Sequence, residues 1–277
     1  MSQKHTTTRR TALKAGIASL ASAAVITPEG HAAMPQDIKP KAPGETKVVF
    51  LGGDMLHNFS AQEPALRSIC EGAGWKFYAV HDARYCTPGL ISDADLMFIQ
   101  RWVGGVPGWV PGPVFEEAPK NDGYMSEELE NTVYDNVVNR GMGFVSLHCT
   151  IWAMSMKKFT GMLGIRAIIH GPLQAVRVFN FNQDHPITRG MKEFDIAIDE
   201  NFGVELINPK AVRLYETFGY SDKRHDIGGW CIEQGNGRIA GFTAGHTYFA
   251  YEDPSHLRML RRAAFWVLKR DIPPDRD

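Results

Sequence analysis

The chain has 277 residues and a formal net charge of −1, enough for one large domain or two small ones with a sizeable core. A hydrophobic content of 44% with 22% charged residues is that of an ordinary soluble globular protein. Without the first 32 residues, 26 basic residues face 30 acidic ones, and no basic stripe remains to serve a nucleic acid.

Residues 1–32 read as a signal peptide. Thr8-Arg9-Arg10-Thr11-Ala12-Leu13-Lys14 resembles the twin-arginine export motif, with Ala12 where an aromatic usually stands. The apolar run Ala15 to Ile26 is too short and too alanine-rich to span a membrane, and Gly30-His31-Ala32 offers small residues for cleavage. A disordered basic tail is the alternative. The export reading implies a periplasmic protein with no membrane insertion after cleavage. Residues 33–46, rich in Pro, Lys and Gly, form a leader into one domain over 47–270.

Lys47 to Leu51 is a buried strand opening into Gly52-Gly53-Asp54-Met55-Leu56-His57. The two glycines allow a tight turn or a close ligand, but no G-x-G-x-x-G follows, so no nucleotide cofactor is expected. A helix over Gln62–Ala73 precedes strands at Lys76–Val80 and Leu96–Ile99. The irregular stretch Gln100–Tyr124 carries Trp102 and Trp109, whose rings either stack on a sugar face or pack the loop down. Ser126 caps a helix running to Arg140. Gly143 to Leu147 is a short buried strand ending at His148-Cys149, and Ile151 to Leu163 reads as helix. Strand, sharp turn with reactive side chains, then helix is how α/β sheets present chemistry.

Beyond Gly164, strands are expected at Ala175–Phe179, Val212–Thr217, Gly229–Glu233 and Arg238–Thr243, with an amphipathic helix over Ser255–Arg270. Asp199-Glu200 is placed in a polar turn. Alternating strands and helices in the first half predict a mostly parallel sheet, elaborated by the later strands. The four cysteines have neither metal-type nor paired spacing. Cys70 and Cys231 read as small core hydrophobes.

Histidines at strand ends, with acids nearby, are the signal for chemistry. His148, Glu200 and His246 arrive from separate segments, and imidazole and carboxylate can bind a divalent cation or move a proton near neutral pH. In Asp184-His185-Pro186, His185 is read as bracing its own turn.

These pieces resemble the ThuA-like family, named for trehalose utilisation. The match rests on Gly52-Gly53 with His57, Ser146-Leu147-His148, Asp184-His185-Pro186-Ile187-Thr188-Arg189-Gly190, Asp199-Glu200-Asn201-Phe202, and Gly235-Asn236-Gly237-Arg238-Ile239 with Gly245-His246. The resemblance implies an α/β three-layer sandwich similar to class I glutamine amidotransferases (flavodoxin-like), with extra C-terminal strands. An amidotransferase would carry its nucleophilic cysteine where His148 stands. Cys149 falls one residue later, so glutamine hydrolysis is disfavoured. Cys149 and Phe202 depart from the family's usual small residue and Tyr.

The resemblance implies sugar catabolism on a keto-sugar or 3-keto-glycoside, by metal- or His-assisted isomerisation or elimination. His148, Glu200 and His246 are the expected catalytic residues, and the same three are the expected ligands of a divalent metal, zinc or similar. Asp54, His57, His170, Trp102 and Trp109 are the expected sugar contacts. A non-catalytic carbohydrate-binding accessory protein and a Cys149 hydrolase are the rival readings. A homo-oligomer is compatible with the sequence.

The leader reading has a direct test. Changing Arg9→Lys and Arg10→Lys together is expected to leave folded protein in the cytoplasm, measured by cell fractionation. Undiminished periplasmic delivery would refute it.

Overall fold

Every residue of the first strand, Lys47–Gly52, is buried, as a strand covered on both faces must be. The computed structural model describes residues 40–54, 57, 60–103, 125–153 and 156–275. The expected signal peptide and Trp109 lie outside them. Among the described residues nine strands follow in chain order: β1 Lys47–Gly52, β2 Lys76–Val80, β3 Leu96–Gln100, β4 Gly143–Leu147, β5 Ile165–Phe179, β6 Phe194–Leu206, β7 Val212–Gly219, β8 His225–Gln234 and β9 Gly237–Phe242. The α-helices are α1 Gln62–Gly72, α2 Pro88–Ile91, α3 Glu127–Asp135, α4 Lys157–Leu163, α5 Tyr248–Glu252 and α6 Pro254–Val267.

Period-two alternation divides the strand side chains between two cores. Val49, Leu51, Met97, Ile99 and Phe144 pack with Ile91, Leu129, Val133, Phe159 and Met162 from α2, α3 and α4. Val48, Phe50, Leu96, Phe98 and Val145 pack instead with Leu66 and Cys70 of α1 and Met259, Leu260 and Ala263 of α6. Helices therefore cover both faces of the sheet. Ser126 Oγ accepts the Leu129 N–H at 3.1 Å at the start of α3, the cap foreseen from the sequence.

The strand order is β2-β1-β3-β4-β9-β8-β7-β5-β6. Four ladders, from β2 to β9, are parallel. The other four are antiparallel. The sheet is thus mixed, which corrects the expectation of a mostly parallel one. Parallel neighbours need a crossover, usually helical, whereas antiparallel neighbours need only a turn. The chain from β5 to β9 supplies turns alone.

Three local expectations also change. Strand β5 begins at Ile165, ten residues earlier than Ala175. Asp199 and Glu200 lie within β6, paired opposite Gln174 and Leu173, rather than in a turn. After β4 a tight 3-10 turn spans His148–Ile151, and the α-helix begins only at Lys157. Among the described residues no helix is long and apolar enough to cross a membrane.

His256 on α6 is fully buried between the rings of Phe242 and Tyr251, and neither ring nitrogen has a hydrogen-bond partner among the described residues. Burial pushes its pKa down from 6.5 to about 4. The unfolded chain then binds the extra proton first, so stability from this group is present above pH 6.5 and lost as pH falls towards 4. His256→Leu is expected to match or exceed the parent at pH 7. Its advantage should grow by up to roughly 3 kcal/mol on acidification, at about 1.4 kcal/mol per pH unit. Denaturant melts across this pH range measure it, and an unchanged difference would contradict the assignment.

Candidate active site

Three strand ends in the parallel half of the sheet converge. The loop after β1 carries Asp54 and His57, the turn after β4 carries His148, and the turn after β9 carries His246. In open α/β sheets, ligands gather outside the carboxyl ends of the strands. Leu147 is paired with Phe242, so His148 and Thr243 leave the sheet side by side.

His148 is fully buried and sits at φ 44°, in the left-handed region that non-glycine residues seldom adopt. This backbone turns its ring back over the sheet edge. Nδ1 donates to the Thr243 carbonyl at 2.7 Å, which leaves Nε2 as a bare lone pair in the neutral ring. That Nε2 lies 3.2 Å from His246 Nδ1 and 3.4 Å from Glu200 Oε2. His246 Nδ1 lies 3.2 Å from the same carboxylate oxygen. The three expected catalytic groups therefore form one near-equilateral triangle.

Glu200 comes from β6, far along the antiparallel half of the sheet, and its neighbour Asp199 aligns the two halves. The Asp199 carboxylate is buried and accepts three backbone N–H groups, from Glu200 at 2.7 Å, Gly245 at 2.9 Å and His246 at 3.0 Å. Gln100 at the end of β3 donates to the Gly245 carbonyl and accepts from the Tyr251 hydroxyl. Gly245 has φ 136° and a Cβ there would lie 2.7 Å from Tyr251 Oη, so only glycine fits this turn. Asp199 escaped the list of expected site residues. Its adjacency to Glu200 was visible, but its role depends on amides 46 and 47 residues downstream.

The electrostatics follow from burial and pairing. Burial pushes His148 down from 6.5 to about 4, against the opposing pull of Glu200, so it is neutral at pH 7. Burial would raise Glu200, but its closeness to the His148 and His246 imidazoles outweighs burial and holds the carboxyl well below its usual range. The same bond to Glu200 raises His246. Burial lifts Asp199 from 3.8 to about 7, held back by its amide donors. The site thus holds an anionic carboxylate beside one neutral and one readily protonated imidazole.

The other expected residues fall around this triangle. His57 Nδ1 lies 2.8 and 2.9 Å from the two oxygens of Asp54, and its ring centroid is 5.1 Å from that of His148 and 4.9 Å from that of His246. Trp102 donates its backbone N–H to Asp54 at 2.8 Å. His170 on β5 is exposed, with Nδ1 3.7 Å from Glu200 Oε1 and its ring against Trp152. Trp152 and Phe202, whose ring lies 4.7 Å from that of His148, complete the apolar wall and were not foreseen as such. Cys149 is buried, its thiol pushed well above its usual range by burial and the Asp54 charge. His185 stays in its own turn, where Nδ1 accepts the Ile187 N–H and Nε2 meets Cys231 Sγ at 3.3 Å.

Residues 47–267 match the family model ThuA, described as trehalose utilisation. No curated protein sequence gives a significant match. Among solved structures, the fold is similar to a ThuA-like protein from Parabacteroides merdae ATCC 43184 (TM-score 0.63, 16% identity, 83% of this chain and 92% of that one). A ThuA-like protein from Bacteroides uniformis ATCC 8492 is similar too (TM-score 0.60, 13% identity, 83% and 94%). So is part of a β-galactosidase from Bacillus circulans sp. alkalophilus (TM-score 0.53, 12% identity, 82% of this chain and 32% of that one). At these identities the likeness is one of fold.

Asp199→Ala would remove the acceptor of three amides, one bond buried and two part-buried. The expected loss is about 2–4 kcal/mol in chemical denaturation, since an orphaned buried donor costs roughly 1–3 kcal/mol and the two that water can reach add less. Parent-like stability would show that water replaces the carboxylate fully.

Proposed function

The chain belongs to the ThuA, trehalose-utilisation, family, and we propose that it is a sugar-catabolism enzyme that moves a proton next to the carbonyl of a keto-sugar or 3-keto-glycoside. The observation that supports this most is the triangle of His148 Nε2, His246 Nδ1 and Glu200 Oε2, with edges of 3.2–3.4 Å. It puts a base, an acid and a neutral hydrogen-bonding ring within reach of one small polar group.

On this reading the oxidised sugar lies across the half-exposed side, against His170 and Trp152. A ketone at C3 acidifies the C2–H, and Glu200, held anionic, takes that proton. Protonated His246 donates to the carbonyl oxygen as negative charge develops there. Return of that proton to C3, with the O2 proton passing to O3, gives the 2-keto isomer. Loss of the group on C1, which leaves with the proton that Glu200 took from C2, gives elimination. A divalent cation held at the histidines would take the place of the His246 proton and supply Lewis-acid stabilisation of the same oxygen. The frame is then that of the class I amidotransferases with an imidazole in the nucleophile's seat, and its place of work is the periplasm.

Purified protein incubated with 3-keto-trehalose or a 3-keto-glucoside, with and without added divalent ions, is expected to exchange the C2 hydrogen with deuterated water and release product, followed by NMR. Glu200→Gln should lower the rate by on the order of 10²–10⁴. Binding of the sugar without exchange or turnover under every metal condition would overturn the proposal in favour of a carbohydrate-binding accessory role.

A further inference from the structure

His57 was expected to touch sugar, yet its surroundings fit another task. Its ring, with those of His148 and His246, forms a triangle with centroid separations of 5.1, 4.9 and 5.1 Å. The planes meet at 68°, 72° and 81°, so the rings stand edge-on around a common centre. One ring nitrogen from each lies within 4.8 Å of the others.

Two of the rings are locked from outside. The Nδ1 of His57 is held by both oxygens of Asp54, and that carboxylate is fixed in turn by the backbone N–H groups of His57 at 2.9 Å and Trp102 at 2.8 Å. The Nδ1 of His148 is held by the Thr243 carbonyl. With Nδ1 as the donor in each, Nε2 is left to offer its lone pair. An imidazole whose far nitrogen is bound to a carboxylate or a backbone carbonyl is the usual second-shell arrangement of a metal ligand. Spacing agrees as well. Ligands about 2.0–2.1 Å from a tetrahedral ion stand roughly 3.3–3.4 Å apart, and His148 Nε2 and His246 Nδ1 are separated by 3.2 Å.

We propose that His57, His148 and His246 are the protein ligands of a divalent transition-metal ion of the zinc class, with Asp54 as the positioning residue for His57 and Glu200 beside the open position. Three imidazoles select such ions over magnesium or calcium, which prefer oxygen. The assignment differs from the sequence expectation by taking His57 in and leaving Glu200 out. It stands apart from the keto-sugar reading, because a protein that binds metal and turns over no keto-sugar leaves it intact.

The test uses the full chain, stripped with chelator and titrated with Zn²⁺ by calorimetry and with Co²⁺ by visible absorption. One ion per chain is expected. His57→Gln, His148→Gln and His246→Gln should each weaken binding at least 100-fold. Asp54→Asn should weaken it 10–100-fold, and Glu200→Gln should retain one ion per chain. Circular dichroism and melting of each variant confirm that it is folded. Parent-like affinity in folded His57→Gln overturns the proposal, as does loss of binding in Glu200→Gln. A cobalt–thiolate charge-transfer band overturns it too, since it would place the ion on the neighbouring Asp54, His57 and Cys149 group.

Discussion

The site depends first on the parallel pairing of β4 with β9. These strands are some 90 residues apart in sequence, and their register, Phe144 on Ile239 through Leu147 on Phe242, sets His148 beside Thr243. A shift of one residue would reverse every inward side chain and break the His148 bond to the Thr243 carbonyl. The buried rows that fix this register, Phe144, Val145, Ile239 and Ala240, belong to both cores. Hydrophobic packing thereby determines where an imidazole nitrogen points.

The antiparallel half does a different job. It carries a carboxylate back over the end of the parallel half, and Asp199 fastens that reach by accepting the Gly245 and His246 amides. Such a tie works because it is buried: in water the three amides would be solvated anyway, whereas here Asp199 is their acceptor. The same burial lifts the Asp199 carboxyl to about 7 while pairing holds Glu200 low, so two adjacent acids take opposite characters. Neighbours with diverging proton affinities are the common mark of acid–base sites.

The sequence shows the packed parts of this molecule better than the polar ones. Lys76–Val80 and Gly143–Leu147 were read to the residue, because both are short, mainly apolar runs bounded by turn residues, the second buried throughout. His148, Glu200 and His246 stood out as reactive groups near strand ends and lie together. Strand β6 was not legible. Its middle reads Asp199-Glu200-Asn201, and polar residues buried for a site erase the alternation that marks a strand. Strand β5 is interrupted by Gly171-Pro172 and by three register shifts against β6, so only its last five residues look like a strand. His57, Asp54 and Trp102 were named as sugar contacts, but the tie of the Trp102 backbone to the Asp54 that holds His57 forms only when β1 and β3 lie side by side.

Backbone strain decides which side chain faces the site. At φ 44°, His148 pays on the order of 1–3 kcal/mol for its conformation. The Thr243 bond on one side and Phe202 against the ring on the other hold it there. Cys149, the next residue, is turned inward by the same bend, with its sulfur buried and facing the Asp54 carboxylate at 3.9 Å. A thiol there has neither access nor the positive surroundings that make a thiolate. The turn therefore presents no accessible thiol, but a neutral nitrogen lone pair fixed beside a carboxylate and a second imidazole.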